Sequence, residues 1–223
     1  MCCTAFWTEI RWRNVDDIRE AARARPLAPT LAMANLLMDA NGNLYGVAEQ
    51  GGTFNQGVVY KLSKTGKLKV LHSFAGGTSD GCDVFGTPAM DSQGNLYGTA
   101  NACGSAHVGI VWKVSPLGKE TVLHNFAAGS SDGAEPIAGV IMDASGNLYG
   151  DTYQGGNANL GTVYRLNKTG KITLLHTFTG SDGSYPYSGL FRGPAGNLYG
   201  TTLYGGSGNA CNNGCGTVWR IAE

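Results

Sequence analysis

The chain has 223 residues, with 16 basic and 16 acidic side chains and therefore no net formal charge. This balance excludes the basic surface typical of nucleic-acid-binding proteins, and no run of about 18 apolar residues is present that could span a membrane. Glycine contributes 35 residues and charged side chains only 14%, a composition that indicates many short strands joined by glycine turns.

The first 34 residues precede the repeats and are predicted to form a strand and a short helix. Phe6–Arg13 alternates apolar and polar side chains, as a strand with one buried face does. Asn14–Arg25 has the pattern of a short helix, with Asn14 as its N-cap and Pro26 after its end. The alternative is that this segment is a tail without fixed structure. It shows neither the charged start nor the apolar core of a signal peptide, so a cytoplasmic location stays open.

From residue 35 onward the sequence repeats about every 50 residues, and this repetition determines the predicted fold. The word Gly-Asn-Leu-Tyr-Gly begins at Gly42, Gly94, Gly146 and Gly196. A second word, Gly-x-Val followed by an aromatic and a basic residue, begins at Gly57, Gly109, Gly161 and Gly216. Leu-His-x-Phe ends at Phe74, Phe126 and Phe178, and Ser-Asp-Gly has its aspartates at Asp80, Asp132 and Asp182.

Each repeat unit divides into four strand-length pieces, which we call strands a to d. In the third unit they are Gly139–Asp143, Asn147–Thr152, Gly161–Leu166 and Lys171–Phe178. Strands c and d are rich in Val, Ile, Thr and aromatic residues, while Asn, Asp, Ser and Gly fill the turns. The pattern predicts an all-β protein, a β-propeller of four four-stranded antiparallel blades. Its units 1 to 4 are expected at about residues 35–80, 81–132, 133–182 and 183–223.

The fourth unit ends after strand c, so its fourth strand must come from elsewhere. We expect Phe6–Arg13 to pair with the last strand and close the ring, because an unpaired edge strand invites aggregation. The alternative is that the chain is a fragment of a larger propeller with a purely structural role. A monomer in solution would support self-closure, whereas a homodimer would indicate two half-rings.

The repeat resembles the GloVer tandem repeat of bacterial "choice-of-anchor" proteins. The matching motifs are D-x-x-G-N-L-Y-G-T at Asp91–Thr99, G-T-V-Y-R at Gly161–Arg165, G-K-x-T-x-L-H-x-F at Gly170–Phe178 and S-D-G-x-x-P at Ser181–Pro186. More distantly it is similar to the blades of NHL-type propellers. The resemblance covers residues 35–223 and implies a secreted or surface-attached protein of undefined biochemical role. It brings no catalytic residues with it.

The b–c loops differ between units and lie with the d–a connections on one face, which we call the loop-rich face. Variable loops on a rigid scaffold are where binding sites usually lie. The predicted ligand-binding residues are Phe54, Asn101, His107, Tyr153, Asn157 and Tyr204, together with Arg192 of the channel-lining strand a. The d–a connections add Asp83, Phe85, Glu135, Tyr185 and Tyr187. Aromatic rings beside polar side chains suit a carbohydrate; a protein ligand is the alternative.

Four cysteines are placed on the loop-rich face. Cys211 and Cys215 share the last b–c loop, and Cys82 precedes the loop that holds Cys103. We expect both pairs to form disulfides, which would imply an oxidising compartment. A zinc site of Cys211, Cys215 and His107 is disfavoured because no second close pair of ligands accompanies it.

The histidines and aspartates that recur in the repeats are predicted to have structural roles. His72, His124 and His176 occupy one position in three units, whereas a single active site requires asymmetry. The Ser-Asp-Gly aspartates are expected to cap turns. No nucleophile–base set, phosphate loop, metal site or cofactor motif is readable. The sequence therefore favours a non-enzymatic binding or scaffold module, with a polysaccharide or lactone hydrolase or lyase in the channel as the alternative.

Overall fold

The structure is a computed structural model that describes residues 35–207, 211 and 214–222. Every regular element in this part of the chain is a β-strand. The predicted N-terminal strand and helix, Phe6–Arg13 and Asn14–Arg25, lie outside the described residues. The predicted closure of the ring by Phe6–Arg13 therefore stays a prediction.

Two antiparallel four-stranded sheets form units 1 and 2. The first contains, in order of pairing, β1 (Leu37–Met38), β2 (Leu44–Ala48), β3 (Val58–Leu62) and β4 (Leu68–Ser73). The second contains β5 (Gly81–Met90), β6 (Leu96–Cys103), β7 (Ile110–Val114) and β8 (Glu120–Asn125). The order of strands in each sheet is their order in the chain, as expected for an up-and-down blade.

Unit 3 repeats this sheet, and unit 4 modifies it. Unit 3 pairs β10 (Ile141–Met142), β11 (Leu148–Thr152), β13 (Thr162–Leu166) and β14 (Ile172–Thr177), with a short ribbon of β9 (Gly133–Ala134) and β12 (Gln154–Gly155). Unit 4 pairs β15 (Ser184–Pro186) and β16 (Phe191–Arg192) with β17 (Leu198–Tyr204), which also pairs with β18 (Val218–Ile221). The all-β propeller class predicted from the sequence is confirmed.

The d–a connections contain more strand than the sequence predicts. Their first residues pair with the end of strand b in the same unit: Gly81 with Cys103, Gly133 with Gly155, and Ser184 with Tyr204. Turn-forming residues suggested loops here, but the same residues permit a kinked strand. Asp83, Glu135 and Tyr185 each have φ between 56° and 58°, which bends the backbone at one equivalent position in units 2 to 4.

The a–b turns of units 1 to 3 are each held by an aspartate at the end of strand a. In unit 2, Asp91 Oδ1 accepts the backbone N–H of Asn95 at 2.9 Å. Its Oδ2 accepts the Asn95 side-chain amide at 2.7 Å and the Tyr97 hydroxyl at 2.9 Å. Asp39 and Asp143 make the same bonds in units 1 and 3. Burial alone would raise the pKa of Asp39, but the hydrogen bonds to its carboxylate together lower that pKa to about 2.

Neighbouring units pack through a repeated aromatic contact. The Phe at the end of strand d meets the aromatic residue of strand c in the next unit, at centroid distances of 5.3 to 5.9 Å. The three pairs are Phe74–Trp112, Phe126–Tyr164 and Phe178–Trp219. The core therefore consists of separate apolar layers, each between two neighbouring sheets. The repeated motifs supply the aromatic residues on both sides of each layer.

The outer face of unit 4 differs from those of the other units. Val59, Val111 and Val163 of strand c are completely buried because the following unit covers them. Val218 occupies the same position in β18 and is 82% exposed. Within the described residues, no strand d pairs with β18 and no further sheet covers this face.

Candidate functional site

Four tyrosines from units 3 and 4 form a cluster on the loop-rich face; we call Tyr153, Tyr185, Tyr187 and Tyr204 the tyrosine cluster. The ring centroids of Tyr153 and Tyr185 lie 4.8 Å apart, and Tyr187 lies 6.3 Å from Tyr153. Tyr204 lies 6.1 Å from Tyr185 on its other side. Tyr187 is 50% exposed and Tyr204 is 41% exposed, so the cluster presents aromatic surface to solvent.

The backbone of the loops determines where these rings lie. Tyr185 has φ of 58°, and its N–H donates to the carbonyl of Leu160 at 2.8 Å. The N–H of Tyr153 donates to the carbonyl of Glu135 at 3.0 Å. Tyr204 ends β17, where it pairs with Ser184. Each ring except that of Tyr187 is thus attached to a hydrogen-bonded segment, and the arrangement is formed before any ligand binds.

Polar groups lie beside the rings. The Gln154 amide donates to Glu135 Oε2 at 3.0 Å. Burial, followed by the proximity of Tyr185, Tyr204 and Glu135, raises the pKa of Tyr153 above its ordinary value. The Tyr153 hydroxyl therefore stays protonated at neutral pH and can both donate and accept a hydrogen bond.

A cavity of about 640 Å³ lies at the centre of the sheets, and Tyr187 contributes to its wall. The strands a of units 2 and 3 line it, together with Leu190 of unit 4. Its described lining consists of apolar, glycine, amide and hydroxyl residues and contains no carboxylate, imidazole or ammonium group: Asn35, Phe85–Met90, Ile137–Met142 and Tyr187–Leu190. The tyrosine cluster therefore lies next to a cavity whose described lining has no carboxylate, imidazole or ammonium group.

The structure brings some of the predicted ligand-binding residues together and separates others. Tyr153 and Tyr204 meet through Tyr185, whereas Phe54, which is 56% exposed, belongs to the b–c loop of unit 1. Asn101 and His107 belong to unit 2, and Asn157 is exposed in the b–c loop of unit 3. No described ring contact joins these four to the tyrosine cluster.

Arg192 lies at the opposite end of the channel from the tyrosine cluster. It ends β16 and pairs with Leu198 beside the a–b turn of unit 4. Its guanidinium carbon lies 5.9 Å from the centroid of the Tyr149 ring. The sequence predicts Arg192 among the ligand-binding residues because it is the one charge among the strands a that does not repeat between units. Its position at the turn end separates it from the loop-rich face.

Both predicted disulfides are present. Cys82 bonds to Cys103, with Cα atoms 5.4 Å apart, and joins the start of β5 to the end of β6. Cys211 bonds to Cys215 within the last b–c loop, with Cα atoms 5.3 Å apart. No helix in the described part of the chain is long and apolar enough to span a membrane.

In units 2 and 3 the repeated histidines and aspartates have the structural role predicted for them. Asp132 Oδ2 accepts the backbone N–H of Ala127 at 3.0 Å and lies 3.0 Å from His124 Nε2, while Oδ1 accepts the N–H of Gly133 at 2.8 Å. His176 Nε2 and Asp182 Oδ2 are 2.8 Å apart. In unit 1 the equivalent distance, from His72 Nε2 to Asp80 Oδ2, is 3.7 Å, which is too long for a hydrogen bond.

Comparison with known proteins identifies the family and the fold. The family model described as the Gloeobacter/Verrucomicrobia repeat matches residues 32–223. No curated protein has a similar sequence. The structure of virginiamycin B lyase from Staphylococcus aureus has a TM-score of 0.53 and 17% identity, covering 87% of this chain and 53% of the lyase.

A gluconolactonase from Xanthomonas campestris has a TM-score of 0.50 and 13% identity, covering 84% of this chain and 55% of the lactonase. The chain therefore spans about half the length of these two proteins. At such low identity the likeness shows the propeller fold alone.

Proposed function

We propose that this chain, which belongs to the Gloeobacter/Verrucomicrobia repeat family, is an extracellular binding module that recognises a carbohydrate through the tyrosine cluster. The repeated words form the common scaffold. The residues that differ between units lie in the b–c loops and d–a connections, and the tyrosine cluster is built from them.

The observation that carries the proposal is a group of four tyrosines in contact, of which two, Tyr187 and Tyr204, have exposed rings. A tyrosine ring offers an apolar face for the C–H groups of a sugar, and its hydroxyl offers a hydrogen bond to a sugar hydroxyl. Gln154 and Glu135 lie at the edge of the same cluster and add an amide and a carboxylate. A preformed site of this kind loses little conformational entropy on binding.

Two further observations support the proposed location and the non-catalytic role. Disulfides such as Cys82–Cys103 persist mainly in oxidising compartments, which supports export of the protein. The alternative of a hydrolase or lyase in the channel has no such support, because the described lining offers no carboxylate or imidazole for acid–base catalysis.

A glycan array probed with the whole chain tests the proposal. We expect binding to a defined set of glycans, and loss of that binding when Tyr153 or Tyr204 is replaced by alanine. An array without binding would contradict the carbohydrate proposal and would favour a protein ligand on the same face.

A further inference from the structure

One group of potential metal ligands lies between units 1 and 2, remote in sequence from the tyrosine cluster. It consists of His72 at the end of β4, Asp80 in the following connection, and Glu120 at the start of β8. One ligand atom from each residue lies within 4.8 Å of the other two. The group therefore joins two neighbouring sheets at a single point.

Comparison between units shows that this group breaks the repeat in two coincident ways. The position of Glu120 in strand d is occupied by Leu68 in unit 1 and Ile172 in unit 3. The His–Asp pairs of units 2 and 3 are at hydrogen-bonding distance, whereas His72 and Asp80 are 3.7 Å apart. Glu120, the carboxylate that departs from the repeat, thus lies beside His72 and Asp80, the pair that is too far apart for a hydrogen bond.

Two atoms of the group lack the partners that buried polar atoms normally have. His72 Nε2 and Glu120 Oε1 are both shielded from solvent, and neither has a hydrogen-bond partner in the described residues. Such atoms are rare in native proteins, because a buried polar atom without a hydrogen-bond partner destabilises the fold. Both residues belong to the group whose ligand atoms lie within 4.8 Å of one another, so a cation bound there would supply the missing partner of both.

The aspartate of the group is already held in place. Asp80 Oδ2 accepts the N–H of Ala75 at 2.7 Å, and Oδ1 accepts the N–H of Gly81 at 2.7 Å. Hydrogen bonds of this kind orient the carboxylate ligands of metal ions. The cluster thus contains one anchored carboxylate, a second carboxylate on the facing sheet, and an imidazole nitrogen.

We propose that His72, Asp80 and Glu120 bind a divalent transition-metal ion of the Zn²⁺ type. One imidazole nitrogen and two carboxylate oxygens are ligands that Zn²⁺ accepts, with water as a fourth. Two ligand atoms on a tetrahedral zinc ion are roughly 3.4 Å apart, so the 3.7 Å separation of His72 and Asp80 needs only a small adjustment. The two carboxylates balance the ion's charge, and the ion bridges β4 and β8 as a clamp between units 1 and 2.

The test compares zinc binding by the whole chain and by a Glu120→Ile variant, using ZnCl₂ alone as the probe. Unit 3 has Ile172 at this position, so the variant gives unit 2 the apolar residue of a neighbouring unit and removes only the carboxylate. We expect the wild-type chain to bind one more equivalent of zinc than the variant in calorimetry, and zinc to raise the melting temperature of the wild type more. His124→Ala changes the corresponding histidine of unit 2, and this variant should bind as much zinc as the wild type.

Equal stoichiometry for the wild type and Glu120→Ile, or no zinc uptake by the wild type, would overturn the proposal. If Glu120→Ile does not fold, Glu120→Gln keeps the shape of the side chain, removes its charge and serves in the same comparison. Crystals of the wild type grown with ZnCl₂ provide a second readout. An anomalous peak at the zinc edge between the three residues is expected, and its absence would overturn the proposal independently of any variant.

Discussion

Thr99 and Asp151 occupy the same position of strand b in successive units, and both side chains are buried, but their hydrogen bonding differs. Thr99 Oγ1 donates to the carbonyl of Ala138 in the next unit at 2.7 Å. Asp151 Oδ2 has no hydrogen-bond partner among the described residues. Burial consequently raises the pKa of Asp151 to about 7, so the carboxyl group remains protonated at mildly acidic pH.

The buried Asp151 should make stability depend on pH. Its folded pKa of about 7 exceeds the ordinary value of 3.8, so the folded state holds a proton that the unfolded state releases between these values. The free energy of unfolding should therefore fall as the pH rises from 4 to 7, by up to about 4 kcal/mol from this group. We expect Asp151→Thr to remove this dependence.

Urea unfolding of the wild type and Asp151→Thr at pH 4.5 and pH 8.5 measures the effect. The variant should gain more stability relative to the wild type at pH 8.5 than at pH 4.5. An equal difference at both pH values would show that Asp151 is not protonated in the folded state.

Two equivalent valines give a matched test of the open face on unit 4. Val163→Ala removes a completely buried side chain between units 3 and 4 and should cost about 2–3 kcal/mol. Val218→Ala changes a side chain that is 82% exposed and should cost no more than about 0.5 kcal/mol. Chemical denaturation of both variants provides the comparison. A large cost for Val218→Ala would mean that the face is covered in solution.

The two disulfides should differ in their contribution to stability. Cys82–Cys103 closes a loop with a sequence separation of 21 residues, and Cys211–Cys215 one of 4 residues. The restriction of the unfolded chain grows with loop length, so the first should contribute about 3 kcal/mol and the second about 2 kcal/mol or less. Unfolding of the Cys82→Ala/Cys103→Ala and Cys211→Ala/Cys215→Ala double variants tests this order, and a reversed order would contradict it.

The features that the sequence predicts well are those that depend on neighbouring residues within one unit. The hairpin around Asp91 follows from a local turn whose side-chain acceptor and amide donors are a few residues apart. Strand c is recognisable because it is a short run rich in Val, Ile, Thr and aromatic residues that begins after a glycine. Both disulfides could be predicted because Cys211 and Cys215 share one loop, and Cys82 and Cys103 belong to connections of the same unit on one face.

The features that the sequence predicts less well are those formed between units. Tyr153 and Tyr185 are distant in the chain, and their contact depends on how two sheets are rotated relative to each other. The repeated words do not point to Glu120, because it stands at a position that is apolar in units 1 and 3 and belongs to none of those words. Comparing Leu68, Glu120 and Ile172 is the signal that could have found it.

The most direct test of carbohydrate recognition is calorimetric titration with the strongest glycan from the array, using single alanine variants of exposed aromatic residues. Tyr187→Ala and Tyr204→Ala should each weaken the affinity at least about tenfold, which corresponds to about 1.4 kcal/mol. Phe54→Ala is the matched control, because Phe54 is similarly exposed on the same face but outside the tyrosine cluster. Unchanged affinity in both tyrosine variants, or an equal loss in Phe54→Ala, would contradict recognition by the tyrosine cluster.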